Sequence, residues 1–411
     1  MDNGLTILLK EKKDLPIVSV NLALNGGMRM ETVAKNGLSE LTSRLWARET
    51  KTRSKFDLSK MIEEKAMSFG AFSGRNSVGL RMEFLSEDLD FGLDLLEDVI
   101  KNPLFSEAEF LKEKEKIKQD IIAKKDSVSE LAVKTVKETL FQAHYFRLDN
   151  LGTAESIDQI THKDVIDFYS SVLSSRNMVL SIIGDINARE LIEKLKKKFG
   201  GLASKEVVIQ ENKEPAPEAT RKVEISSEKE QAILVIGFQG PVINSPDRHG
   251  VEMITSILGS SLSGRMFNKI RDELGQAYTL GVQYVPGIDM GLIYFYVNTT
   301  NENLDKVEDI LRKQLDEIRT SDISDQELTE SRAQLKGDFE MDLETNASLG
   351  FTVTLDELYG LGYAHYKTFH ERTDAVTKED IRRIAQDYLD INKAAVVKLR
   401  AKEDSSPKVD K

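Results

Sequence analysis

Glu40, Ser43 and Arg44 lie on a segment whose apolar residues Leu38, Leu41 and Leu45 fall on one stripe of a helix. Glu40 and Arg44 form an acid–base pair at i,i+4, in the order that favours the helix. Two readings are open. On an exposed face such a pair is worth about 0.2–0.5 kcal/mol. If the guanidinium is enclosed, it needs a second acid to hold it. Farther along, Arg271 and Tyr278 flank a turn containing Gly275 that leads from a helix into a strand. At that spacing alone the pair assigns no chemistry, although a phenol can donate to an oxyanion and a guanidinium can fix a carbonyl or an acid. The plainer alternative is that Arg271 pairs with a local acid and Tyr278 fills a strand position. The five histidines, His144, His162, His249, His365 and His370, include no pair at i,i+3 or i,i+4, and there is no cysteine. The sequence therefore offers no metal motif on one helix face and no disulfide.

The elements that position these residues occur twice. Thr161-His-Lys-Asp164 and Thr377-Lys-Glu-Asp380 are both capping boxes, as are Ser106-Glu-Ala-Glu109 and Ser324-Asp-Gln-Glu327. Two cap signatures at nearly one offset indicate a duplication: a first repeat over 1–201, a linker over 202–221 and a second repeat over 222–411. In the first repeat, strands are expected at Gly4–Lys10, Ile17–Leu24, Met67–Ser73, Val78–Leu85 and Met178–Ile183. Helices are expected from Asn36 as cap to about Arg48, from Ser86, from Ser106 to about Lys125, over Val128–Phe141 and from Thr161. The second repeat runs Ala232–Phe238 (strand), a helix from about Arg248, paired strands Tyr278–Val285 and Leu292–Asn298, helices from Leu304, Ser324 and Thr377, and a last strand Ala394–Leu399. This mixture reads as an α+β fold of two duplicated α/β-sandwich halves, helices over one face of a mainly antiparallel sheet. The charged, proline-bearing stretch around Pro215 and Pro217 reads as a solvated linker.

With 411 residues the chain has length for two cores, and a formal net charge of −12 disfavours non-specific nucleic-acid binding. Lys194–Lys198 reads as a solvated cationic helix end rather than an anion site. No apolar run approaches the roughly 20 residues of a membrane span. Met1-Asp2-Asn3 leads straight into the first strand, so no secretory signal is expected. The compartment stays open between bacterial cytoplasm and periplasm.

The helix Gly37-Leu-Ser-Glu-Leu-Thr-Ser-Arg-Leu-Trp46 and the strand Val18-Ser-Val-Asn-Leu22 resemble the insulinase/pitrilysin-like zinc metallopeptidases, and among them the processing-peptidase type. So do Leu151-Gly-Thr-Ala-Glu-Ser-Ile157, Gly184-Asp185, Gly237-Phe-Gln-Gly-Pro241 and the stretch Ser260–Gly281. The likeness covers essentially the whole chain. Active members carry His-x-x-Glu-His on that helix, two zinc ligands one turn apart with a general base between them. Those positions are Glu40, Ser43 and Arg44 here. The downstream glutamate ligand falls on Asp120, a supporting acid is kept as Glu113, and the family's Asn-Ala on the following strand is Ser73-Gly74.

The resemblance thus implies a degenerate metal site. Arginine stays protonated and donates only, and Ser43 is no base at neutral pH. No metal or other cofactor is expected in this chain. A guanidinium flanked by Glu40 and Asp120 is expected where the ion would sit, unless the pair is merely exposed. The resemblance further implies a non-catalytic subunit whose homologous partner bears the zinc. Arg271 and Tyr278 would act in trans, and peptide substrate would add to an edge strand around Ala71, Phe72, Ser73 and Gly74. Whether the chain forms a homodimer in isolation is left open by the sequence. The alternative is a structural or peptide-binding protein with no part in proteolysis, like the core subunits of respiratory complexes.

Overall fold

The computed structural model describes residues 1–402 except 126, 210, 230, 261–263 and 275–278, with only the backbone described at 260 and 271–274. Along the chain come β1 (Thr6–Glu11), β2 (Ile17–Asn25), α1 (Leu38–Trp46), α2 (Lys55–Glu64), β3 (Ser68–Ser73), β4 (Ser77–Leu85), α3 (Leu89–Lys101), α4 (Glu107–Lys125) and α5 (Val128–Leu140). Next are α6 (Ala154–Gln159), α7 (His162–Val172), β5 (Met178–Gly184), α8 (Ala188–Phe199), β6 (Arg221–Ser227), β7 (Ala232–Gly240), α9 (Arg248–Thr255) and α10 (Arg265–Leu274). The chain closes with β8 (Thr279–Val285), β9 (Gly291–Thr299), α11 (Leu304–Thr320), α12 (Asp325–Asp342), α13 (Asn346–Leu358), α14 (Phe369–Ala375), α15 (Lys378–Tyr388) and β10 (Ala395–Ala401).

These elements pack as two compact units. One comprises Met1–Ile122, Leu148–Glu211 and Asp338–Phe369; the other comprises Ala123–Arg147, Asn212–Gly337 and His370–Lys411. The units are a different division from the sequence repeats, because each takes a helix from the other repeat.

In the first unit the strand order is β1-β5-β2-β4-β3. β2 runs antiparallel to β4 and β5, β3 antiparallel to β4, and β1 parallel to β5. Val18, Val20, Leu22, Leu80, Met82, Leu180 and Ile182 face the main core with Leu41, Leu45 and Trp46 of α1. The opposite face is polar along its centre and carries α13. There Ser181 Oγ donates to the Gly350 carbonyl at 3.0 Å, and Thr354 Oγ1 donates to Ser181 Oγ at 2.7 Å. A Cβ on Gly350 would stand 2.4 Å from Asn21 Nδ2, so the absence of a side chain sets this close approach.

The second unit repeats the plan with order β6-β10-β7-β9-β8, β6 parallel to β10 and the remaining pairs antiparallel. Its core joins Leu234, Ile236, Phe238 and Phe295 to helices α9, α11 and α15. Helix α5 covers the other face, with Val136 against Gly237, where a Cβ would come within 2.9 Å.

Mixed α/β architecture with two similar five-stranded sheets agrees with the sequence expectation. Coverage of one face only does not hold: both faces carry helices. The uninterrupted burial of β5 and of the interior of β2 has that cause. Most described residues of 202–221 are exposed, as a solvated linker requires, but the stretch is anchored at one acid. Glu214 is buried, and its carboxylate accepts the N–H groups of Gln142, Ala143 and His144 at 2.7–2.9 Å. Those three fixed donors hold it ionised, with a pKa below the usual carboxylate range despite the cost of burial. Among the described residues no helix is long and apolar enough to cross a membrane.

Candidate functional site: a guanidinium between two carboxylates

Helix α1 is set by its entry. Gly37 takes φ 95°, a left-handed conformation, and a Cβ there would lie 2.6 Å from the Leu151 carbonyl. The expected Asn36 cap is not the one used. Glu31 reaches over the helix start and accepts from Gly37 N at 2.9 Å, Ser39 N at 2.7 Å and Asn36 Nδ2 at 2.7 Å, as well as from the Ser39 hydroxyl. A carboxylate satisfies the orphan N–H groups and meets the positive end of the helix. Burial nonetheless wins at Glu31 and raises its pKa. At the far end, Trp46 Nε1 donates to the Val99 carbonyl at 3.1 Å, anchoring α1 in the core.

In the last turn of α1, the Arg44 guanidinium is held from two sides. Its Nε donates to Glu40 Oε1 and its Nη1 to Asp120 Oδ2, each at 2.7 Å. The three side chains are 24%, 16% and 49% exposed, so the trio lies at the boundary of the fold, open on the Asp120 side. Burial opposes the charge on Arg44, but the hydrogen bonds to Glu40 and Asp120 outweigh it and its pKa rises. Ser43 is buried, and its hydroxyl donates back to the Glu40 carbonyl at 2.9 Å. Glu113 does not join the trio. Its buried carboxylate meets Arg48 Nη2 at 2.8 Å and Lys116 Nζ at 3.0 Å. A turn earlier, Glu109 pairs with Lys112 at 2.8 Å and Lys55 at 2.6 Å, which pull its pKa down to about 2.

Glu109, Glu113 and Asp120 thus share one stripe of α4, and each meets a cation. Arg48 is a partner that the sequence reading missed; its place one turn beyond Arg44 was the available signal.

This donor set does not fit zinc. The metal would need Lewis bases around it, whereas the central group here offers only N–H donors and already sits at hydrogen-bond distance from both carboxylates. Among the described residues no group of three His, Cys, Asp or Glu side chains is placed to hold a metal ion. Two histidines have acidic neighbours instead: His249 Nδ1 stands 3.1 Å from Glu252 Oε2, and His365 Nδ1 3.6 Å from Asp356 Oδ2.

Ala71, Phe72 and Ser73 lie on β3, the edge strand of the first sheet, with Gly74 just past its end. Ser73 Oγ donates to Ser39 Oγ at 3.0 Å, tying the strand end to the start of α1. The Gly74 carbonyl is taken by Met28 N at 3.1 Å, which leaves β3 itself as the open edge. Tyr278 lies outside the described residues, and of Arg271 only its place in the backbone of α10 is described.

The chain matches the family description "Insulinase (Peptidase family M16)" over residues 6–153 and "Peptidase M16 inactive domain" over residues 159–335. Among its relatives is a protein of Rickettsia bellii named an uncharacterized zinc protease, 25% identical, with 83% of this chain and 82% of the relative covered. A Helicobacter pylori protein named "Non-peptidase homolog YmxG" is 22% identical over 94% of this chain and 89% of its own. Among solved structures, a protease from Helicobacter pylori superposes with TM-score 0.90 at 19% identity, covering 97% of this chain and 98% of the other. A peptidase M16 inactive domain from Pseudomonas fluorescens gives TM-score 0.89 at 19% identity, covering 97% and 96%. The two family matches together span most of the sequence, and the chain belongs to the insulinase family, peptidase family M16.

Proposed function

We propose that this chain is the non-catalytic subunit of a heterodimeric zinc endopeptidase, whose homologous partner carries the metal. The observation behind this reading is the Arg44 guanidinium bonded to both Glu40 and Asp120. A protonated arginine cannot ligate zinc, and removing it would leave two carboxylates facing one another. Ser43, at the position of the general base, is buried and spends its proton on a helix carbonyl. The family description "inactive domain" over residues 159–335 and a relative named a non-peptidase homolog support the same reading.

In this reading the chain contributes surface rather than metal chemistry. Peptide adds its backbone to the open edge of β3 at Ala71, Phe72 and Ser73, a mode that tolerates many side chains. Arg271 and Tyr278 act on substrate bound at the partner's zinc, the arginine fixing a carbonyl or acidic group and the tyrosine donating to the oxyanion.

The test is reconstitution. The chain is assayed for peptide hydrolysis alone, then mixed with a homologous subunit bearing an intact His-x-x-Glu-His. The expected result is no turnover alone and turnover in the mixture, falling at least tenfold with Arg271→Ala or Tyr278→Phe while the complex still forms. Unchanged turnover in both variants with assembly intact sinks the in-trans role and leaves the purely structural or peptide-binding alternative.

A further inference from the structure

We propose that the polar face of the first sheet holds a carboxylate-binding subsite, with Arg81 as its recognition group. Arg81 lies on β4, on the face opposite the main core, and lines a cavity of ≈ 430 Å³ beside α13. Its guanidinium carbon is 3.3 Å from the centroid of the Phe351 ring and 5.0 Å from that of Phe72. The two rings meet edge to face, at 85°, and seat the cation at the cavity wall.

Among the described residues Arg81 makes no ion pair, unlike Arg44, Arg48 and Arg53 in the same unit. Arg81 keeps part of its surface exposed, and the partial burial of the rest lowers its pKa, yet an arginine still carries its charge. A guanidinium seated over the Phe351 ring, with no acid taking its donors, suits a planar bidentate anion.

The surroundings narrow the ligand. Glu83 and Asp342 line the same cavity, so a dianion such as phosphate meets two negative charges beside the one positive. A single carboxylate is repelled less than a dianion, and a neighbouring amine would be welcomed by those acids. Ser68 and Ser348 add hydroxyls to the wall. Access comes from the sheet edge. Gly70 on β3 is register partner to Arg81, and a Cβ at Gly70 would meet nothing within 4 Å. That open space joins the cavity side of β4 to the unpaired edge of β3. The carboxylate source is a peptide, either its C-terminus or an acidic side chain; this choice of source rests on the edge-strand reading above, whereas the subsite itself does not.

The test uses the isolated chain, titrated with three probes and followed by arginine side-chain ¹⁵N resonances and calorimetry. Acetylglycine, too short to extend a sheet, reports the carboxylate site alone. A peptide free acid and the same peptide amidated, with and without an internal Glu, separate the two sources. Binding of acetylglycine is expected, at least tenfold weaker in Arg81→Gln, only partly restored by Arg81→Lys, and blocked by Gly70→Val. Loss of peptide binding with acetylglycine binding retained would refute the edge strand and keep the subsite. Absence of acetylglycine binding, or equal binding by wild type and Arg81→Gln with unchanged melting temperature, overturns the proposal.

Discussion

Helices α4 and α12 begin with the same Ser-x-x-Glu sequence and use it differently. In α12 the reciprocal box closes: Ser324 N donates to Glu327 Oε2 at 2.8 Å and Glu327 N to Ser324 Oγ at 3.1 Å. In α4 only half of it forms. Glu109 N reaches Ser106 Oγ at 3.4 Å, but the Glu109 carboxylate turns to Lys55 and Lys112, and Ser106 N donates to Glu49 instead. Farther along α4, Glu113 and Asp120 continue the stripe against Arg48 and Arg44, whereas Asp338 on α12 is exposed. The two similar halves share the local start signal. What each acid then pairs with was decided by its tertiary neighbours: Glu327 meets Arg265 and still closes its own cap, whereas Glu109 gives its carboxylate wholly to lysines.

The sharpest way to break the comparison is Glu113→Ala. It leaves Arg48 and Lys116 without their buried acid and is expected to cost about 2–4 kcal/mol in urea unfolding. Asp338→Ala on α12 should stay within about 0.5 kcal/mol. Equal effects would mean that the cation-paired stripe does not distinguish the helices.

Arg44→Ala comes next, at about 1–2 kcal/mol, because the trio is partly solvated. A double-mutant cycle with Glu40→Ala should give a coupling of about 0.5–1 kcal/mol; no coupling would reduce the pair to a crystallographer's contact.

Acid separates the two caps by salt rather than by pH. Glu109 and Glu327 both have folded pKa values of about 2, the first through Lys112 and then Lys55, the second through Arg265. Depressed carboxylates stabilise fully above the unfolded value near 4.5, and that contribution is lost as pH falls from there toward 2. Glu109→Gln and Glu327→Gln should each flatten this limb of the stability curve. The Glu109 effect should shrink more in 1 M salt, since its lysine partners are 38% and 63% exposed against 20% for Arg265. The smallest difference lies in the caps themselves. Ser324→Ala should cost about 1 kcal/mol and Ser106→Ala a few tenths, read from melting temperatures.

Local chemistry made much of this structure legible in advance. The Thr161 and Thr377 boxes close as read, and α5 begins at the Ser127 cap where the helix was expected. Strand positions match to within a residue or two because period-2 alternation and β-branched residues mark them. Helix α13 was missed: its Gly350 and β-branched Thr352, Val353 and Thr354 disguise a helix whose N-cap is Thr345. Strand β6 was missed because it lies inside a charged stretch and none of its residues is fully buried. At the site, Glu40–Arg44 is a local i,i+4 relation that sequence spacing carries. Asp120 came only through the family likeness, since nothing local fixes a contact between residues 76 positions apart. Glu31 as the cap of α1 was invisible, because the chain must loop back through a turn for the carboxylate to meet Ser39.

The central claim is that a guanidinium has taken the place of a metal ion in the first repeat. Its most direct test is the zinc content of the isolated chain after purification in zinc-containing buffer and gel filtration. The account predicts far less than one zinc per chain, with a melting temperature unchanged by chelator. One tightly held zinc per chain, lost together with several degrees of thermal stability in Glu40→Gln and Asp120→Asn, would contradict it.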